Sequence, residues 1–163
     1  MIGRTIVPGT FDGVHLGHLF LLKRAKEVAD ETILTVLTFH PHPLLFLGSK
    51  KEDFLLTTQQ EKEELLKSSG VEEIITLTFD LELKGMEAEC FFREILLEKL
   101  LAKKIVVGED FRFGKGRKGD GEKLLNLGKK YNVEVFIFPS FKLKGESVKS
   151  ESIRKLLKMG EVK

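Results

Sequence analysis

Four histidines occur in the 163 residues, and all four lie in two short clusters. His15 and His18 stand three apart in GTFDGVHLGH, Gly9 to His18, and His40 and His42 flank a proline in FHPHP. Imidazoles at i and i+3 share one face of a helix start, beside its unpaired N–H groups and the positive end of its dipole. That arrangement receives phosphate oxygens. Gly17, between the two histidines, leaves room for a ligand to lie against the backbone. A zinc reading would draw further ligands from His40 or His42, but a proline-framed His-Pro-His has no familiar metal spacing, and no metal is expected to be held by the chain itself. Taken alone, an HxxH pair also fits two helix-start residues that bind nothing.

The elements that must position these residues follow from hydrophobic periodicity. Runs rich in β-branched residues at Thr5 to Pro8, Thr32 to Phe39, Glu73 to Thr78, Lys104 to Val107 and Val133 to Phe138 read as strands. Helical patterns fall between and after them, at Leu16 to Ala29, Thr58 to Ser68, Ala88 to Leu101, Glu122 to Tyr131 and Ser150 to Met159. Each parallel return needs a crossover, so strands alternating with helices imply an α/β fold: a Rossmann-like, five-stranded parallel sheet with helices on both faces. Ligands of such sheets bind beyond the carboxyl ends of the strands, where strand order reverses. The loops after the strands are therefore where chemistry is expected.

Composition sets the frame. With 42% hydrophobic residues the chain can bury one core, and a net charge of +2 gives no reason to expect a nucleic-acid partner. The single cysteine, Cys90, cannot form an intrachain disulfide. The chain shows neither a signal peptide nor a run of membrane-spanning length, so the expectation is a cytoplasmic protein with no membrane partner.

GTFDGVHLGH resembles the HxGH signature of the nucleotidyltransferase superfamily, which transfers a nucleotidyl group from a nucleoside triphosphate. Three further stretches, TFHPHP (Thr38 to Pro43), LTTxxEK (Leu56 to Lys62) and VGEDFRFGKG (Val107 to Gly116), narrow the resemblance. Together they are similar to the FMN adenylyltransferase (FAD synthetase) module of bacterial bifunctional riboflavin kinase/FAD synthetases, and the resemblance runs along nearly the whole chain. It implies ATP and FMN as substrates, with Mg²⁺ carried mainly by the phosphates. It also implies an ATP site at Gly9, Thr10, Phe11, Asp12 and Gly17. His15 and His18 would stabilise charge on the triphosphate.

In the tail, Ser150, Ile153 and Arg154 match the family's serine- and threonine-rich run ending in Ile-Arg, whereas Lys149, Glu151 and Ser152 depart from it. Ser150 is expected to cap a helix and donate to phosphate, and Arg154 to pair with triphosphate charge. Phe39, Pro41, Pro43 and Phe46 form a stiff apolar wall with His42 at its edge, suited to a flat flavin ring. Phe111 and Phe113 alternate with Asp110 and Arg112, so one pair can face a pocket while the other faces away. The resemblance assigns Asp110 and Phe113 to the FMN site, although both phenylalanines also fit as core. Gly114 to Gly119 matches GxGxxG in spacing. Glu109 to Phe113 separate it from the strand, so it reads as a mobile basic loop, over phosphates or in solvent.

FMN already carries a nucleophilic phosphate oxygen, so the chain needs no covalent nucleophile. It has to align that oxygen with the α-phosphorus and stabilise the departing pyrophosphate. Transfer to another phosphate ester, or a non-catalytic flavin- or nucleotide-binding module, are the competing readings. Residues 1–163 are expected to form one adenylyltransferase domain. The resembled family usually continues into a β-barrel riboflavin kinase, a domain expected to be absent from residues 1–163 and joined to them in a longer protein.

Overall fold

Five apolar runs pair into one all-parallel sheet in a computed structural model that describes residues 3–11, 16–41 and 58–139, with the backbone of 142–143 and 146–147. The strands are β1 (Arg4–Pro8), β2 (Ile33–His40), β3 (Glu73–Thr78), β4 (Ala102–Gly108) and β5 (Glu134–Phe138). Their order across the sheet is β3-β2-β1-β4-β5, so the chain reverses direction of travel between β1 and β4. Ile6 and Val7, Val36 and Leu37, and Ile105 and Val106 are all sealed from solvent, as expected of central strands covered on both faces.

Two helical layers provide the cover. On one face α1 (Leu16–Ala29) and α2 (Gln59–Ser68) contribute Leu22, Ala25 and Leu66 to a cluster with Val7, Leu34, Val36 and Val106. On the other, a helix that begins as α4 (Ala88–Cys90) and α5 (Gly121–Tyr131) bring Phe91, Phe92, Leu96, Leu124 and Leu127 against Ile6, Leu37, Ile105 and Val107. Thr58 starts α2 through a capping box: its hydroxyl accepts from the Glu61 N–H, and Glu61 accepts from the Thr58 N–H. Asp120 caps α5 by accepting from the Lys123 N–H at 2.9 Å, and Asn132 ends it in a left-handed conformation.

The structure departs from the sequence expectations in four places. After its first turn, α4 continues as a π-helix over Phe91–Lys99, where a single α-helix over Ala88 to Leu101 is expected. Residues five apart return to one face in a π-helix, and Phe91 and Leu96 are accordingly both buried. A short helix α3 (Leu81–Lys84), capped by Asp80, precedes it. A two-stranded antiparallel hairpin, β6 (Lys142–Leu143) with β7 (Glu146–Ser147), shows that the parallel sheet does not account for every strand. Two residues separate β6 from β7, a common hairpin connection. The basic glycine-rich segment is a closed loop: Phe113 and Gly119 exchange backbone hydrogen bonds, and the Lys115 N–H donates to Met86 O at 2.9 Å. Gly114 (φ 78°) lies so close to α4 that a Cβ there would stand 2.7 Å from Ala88 Cα. The helix expected over Ser150 to Met159 lies outside the described residues.

Candidate functional site

The loop leaving β1 is fixed at every described residue. The Gly9 N–H donates to Leu37 O at 2.9 Å, tying the loop to β2. Thr10 O accepts from the Thr38 hydroxyl at 3.2 Å and from Lys62 Nζ at 3.1 Å. Phe11 adopts φ 53°, a conformation that bulky side chains rarely take and that costs on the order of 1 to 3 kcal/mol. Its ring is 2% exposed and meets the His18 ring at 4.9 Å, tilted by 50°. A Cβ on Gly9 would stand 3.0 Å from the Phe11 ring, so glycine permits this fold of the loop. Gly17 and His18 lie in the opening turn of α1, which has no acidic residue to compete with an anion.

The end of β2 and the residues after β4 carry a group of aromatic rings. The Phe111 N–H turns back to Gly108 O at 3.2 Å, leaving Asp110 exposed at the turn. The Phe111 ring stacks on Phe113, with centroids 5.6 Å apart and planes 15° from parallel. Phe113 is 7% exposed and also contacts Phe91 at 6.3 Å, so its ring is part of the core beneath Phe111. Phe39 meets Phe79 edge-on at 6.4 Å, and half-buried Pro41 follows through a cis His40–Pro41 bond.

Phe39, Phe111 and Phe113 thus pack on one cluster, while Phe11 belongs to the cluster on the opposite face of the sheet. The two groups approach the carboxyl ends of β1, β2 and β4, beside the point where strand order reverses. At the amino ends the sheet is closed by an ion pair. Arg4 Nε lies 2.6 Å from the Glu73 carboxylate, and that contact, with a hydrogen bond from Thr35, holds the Glu73 pKa below its usual value against the opposing effect of burial. The two ends of the sheet therefore differ in kind.

Of the residues singled out from the sequence, Gly9, Thr10, Phe11, Gly17, His18, Phe39, Pro41, Asp110 and Phe113 are described. His15, Asp12, His42, Pro43, Phe46, Ser150 and Arg154 lie outside the described residues. Among the described residues no group of three His, Cys, Asp or Glu side chains could hold a metal ion, and no helix is long and apolar enough to cross a membrane.

Lys62, quoted in the LTTxxEK stretch without a role of its own, is the residue whose place the structure adds. Its side chain is 7% exposed, and Nζ donates to Thr38 Oγ1 at 3.0 Å as well as to Thr10 O. A signal for it existed. Lys62 precedes the buried Leu66 by four residues, which places a cation on the core-facing stripe of α2.

Comparison with known proteins supplies the family. A family model described as FAD synthetase matches residues 2–152. A bifunctional riboflavin kinase/FMN adenylyltransferase of Buchnera aphidicola subsp. Schizaphis graminum is 40% identical over 91% of this chain and 49% of its own length. An FAD synthetase of Listeria monocytogenes is 36% identical over 93% of this chain and 62% of its own. The chain spans about half the length of the curated bifunctional relatives it matches. A crystal structure named as a macrolide-efflux protein of Streptococcus pneumoniae superposes with TM-score 0.88 at 31% identity, covering all of this chain and 55% of that one. The names of these proteins differ, and what the pneumococcal structure shares with this chain is the fold. With the model matched over all but the first residue and the last eleven, the chain belongs to the FAD synthetase family.

Proposed function

We propose that the chain transfers the adenylyl group of ATP to FMN, giving FAD and pyrophosphate. The observation that carries this reading is the pairing, at the carboxyl ends of adjacent strands, of two unlike surfaces. One is the hydrogen-bonded backbone of Gly9 to Phe11 with His18 at a helix start, and the other a set of packed aromatic rings led by Phe39 and Phe111. The first suits a triphosphate and the second a flavin.

In this reading an oxygen of the FMN phosphate attacks the α-phosphorus of ATP. A new P–O bond forms, the bond to the β-phosphate oxygen breaks, and pyrophosphate leaves with the electron pair. Gly9, Thr10, Phe11, Asp12, Gly17 and Ser150 are proposed to hold ATP. His15, His18 and Arg154 are proposed to meet the charge that grows on the leaving group, where preformed donors contribute most. Phe39, Pro41, His42, Pro43, Phe46, Asp110 and Phe113 are proposed to hold FMN, Phe113 doing so as a largely buried support. Mg²⁺ bound to the phosphates would neutralise their charge, and substrate oxygens rather than a carboxylate cage would carry it. A cytoplasmic setting is supported by the lone cysteine, Cys90, which makes folding independent of oxidation.

The test is incubation with ATP, Mg²⁺ and one acceptor at a time (FMN, phosphopantetheine or glycerol phosphate), followed by chromatography of the products. FAD from FMN, with no comparable product from the other acceptors, is expected. A nucleotidyl product from another acceptor but not from FMN would replace the flavin reading, and binding without pyrophosphate release would make the protein a sensor.

A further inference from the structure

We infer that Lys62 is a positioning residue for adenylyl transfer, setting the β1–α1 loop through the Thr10 carbonyl; the inference rests on the adenylyl-transfer reading above. Three polar groups form a closed triangle behind that loop. Lys62 Nζ lies 3.1 Å from Thr10 O and 3.0 Å from Thr38 Oγ1, and the Thr38 hydroxyl donates to Thr10 O at 3.2 Å. The valences fit. The hydroxyl accepts from the ammonium and donates its one proton to the carbonyl, whose two lone pairs take both donors. Thr38 is wholly buried, and Lys62 nearly so.

Lysine is rarely buried without partners, because an ammonium removed from water must recover its hydration through hydrogen bonds. Here the ammonium draws partners from the loop after β1 and from strand β2, both distant in sequence, since Lys62 lies 52 residues from Thr10 and 24 from Thr38. It is held in place by its own helix, whose start the Thr58–Glu61 capping box defines four residues before Lys62. The neighbouring residue on either side of Thr10 is also constrained: Gly9 donates to Leu37 O, and Phe11 is left-handed with its ring on His18. A shift of the Thr10 carbonyl therefore moves the Phe11 ring and the imidazole it touches. Positioning errors of this kind act on turnover, since a displacement of about 1 Å can cost about a hundredfold in rate. Lys62 acts on the β1–α1 loop through Thr10 O and Thr38 Oγ1, so FMN affinity should respond little.

The experiment compares Lys62→Met, which keeps the stem and removes the charge, with Thr38→Val and Thr38→Ser, each first checked for cooperative thermal unfolding. FAD formation gives kcat, and calorimetry gives the affinity for FMN and for a non-hydrolysable ATP analogue. Lys62→Met is expected to lower kcat by about tenfold to a hundredfold and to weaken the ATP analogue, while the FMN dissociation constant stays within about twofold. Thr38→Val should move kcat in the same direction and Thr38→Ser should recover it, because only the hydroxyl matters. The double variant Lys62→Met/Thr38→Val should be little worse than Lys62→Met alone, as both act on one carbonyl.

A folded Lys62→Met protein with unaltered kcat would overturn the inference. So would fully multiplicative losses in the double variant. If Lys62→Met fails to fold, Thr38→Val and Thr38→Ser decide: equal kcat in both overturns the inference, and loss in the first with recovery in the second upholds it. A wild-type chain that makes no FAD would instead overturn the adenylyl-transfer reading itself, and this role with it.

Discussion

At the scale of single residues, the proposed site separates groups expected to meet growing charge from groups expected to hold a ring. His18 stands at a helix start with its ring against left-handed Phe11, so its removal leaves the loop's backbone bonds to Leu37 and Thr38 in place. His18→Ala is therefore expected to lower kcat by about a hundredfold, the cost of one preorganised donor to a transition state, with FMN affinity nearly unchanged. Steady-state kinetics beside an FMN titration would check it, and equal turnover in the two proteins would remove His18 from the chemistry. Phe113 makes the opposite case. With its ring 7% exposed and packed on Phe91 and Phe111, Phe113→Ala should cost about 3 to 5 kcal/mol in denaturant unfolding. If the ring also supports the flavin, FMN binding weakens by about 1 to 3 kcal/mol in protein that is still folded; unaltered affinity would leave Phe113 to the core alone. Residue types announced both positions, but the alternation of Phe111 and Phe113 with charged neighbours could not say which ring was covered. That depends on Gly119, where a Cβ would stand 2.8 Å from the Phe113 ring, and on Phe91, which packs against that ring from α4 and its continuation.

At the scale of elements, the five parallel strands and the helices at residues 16–29, 59–68 and 121–131 were legible because apolar periodicity and capping residues agree along each. The π-helix was not, since hydrophobic spacing in FFREILLEK fits a helix of either winding and tertiary burial of Phe91 with Leu96 decides between them. The burial of Lys62 was not legible for a similar reason, because a lysine in a charged helix reads as surface until the helix is docked. Helix α4 is tied to the end of α5 by Glu89, whose carboxylate pairs with Lys130 and accepts from the Tyr131 hydroxyl at 2.7 Å. Those hydrogen bonds hold its pKa down to about 2, against 4.5 for an ordinary glutamate. A carboxyl that protonates more readily in the unfolded chain stabilises the fold above its unfolded pKa, and that contribution disappears as pH falls from about 4.5 through about 2. Glu89→Gln should flatten the stability–pH curve in this window and leave its slope unchanged above it. Unfolding midpoints measured across the acid range would show this, and superimposable curves would mean that the contact is too well solvated to matter. Glu73, lowered by Arg4 in the same direction, should keep a residual acid slope in the variant.

At the scale of the whole molecule, Phe11 of the loop proposed for the triphosphate packs with the cluster on one face of the parallel sheet, and the aromatic group proposed for the flavin with the cluster on the other, near the point where strand order reverses. Relatives that carry both activities are about twice as long as this chain, and their names pair FMN adenylylation with riboflavin phosphorylation. The polypeptide of residues 1–163 is proposed to perform the first of these. The most direct measurement follows phosphate atoms through the reaction. Residues 1–163 are incubated with Mg²⁺ and ATP labelled either at the α- or at the γ-phosphate, with FMN or riboflavin as acceptor. With FMN, α-label is expected in FAD and γ-label in pyrophosphate in equal amounts, and with riboflavin no label should enter the flavin. γ-Label in FMN made from riboflavin would show a kinase site in residues where none is proposed; α-label absent from FAD, in protein that binds both ATP and FMN, would contradict adenylyl transfer.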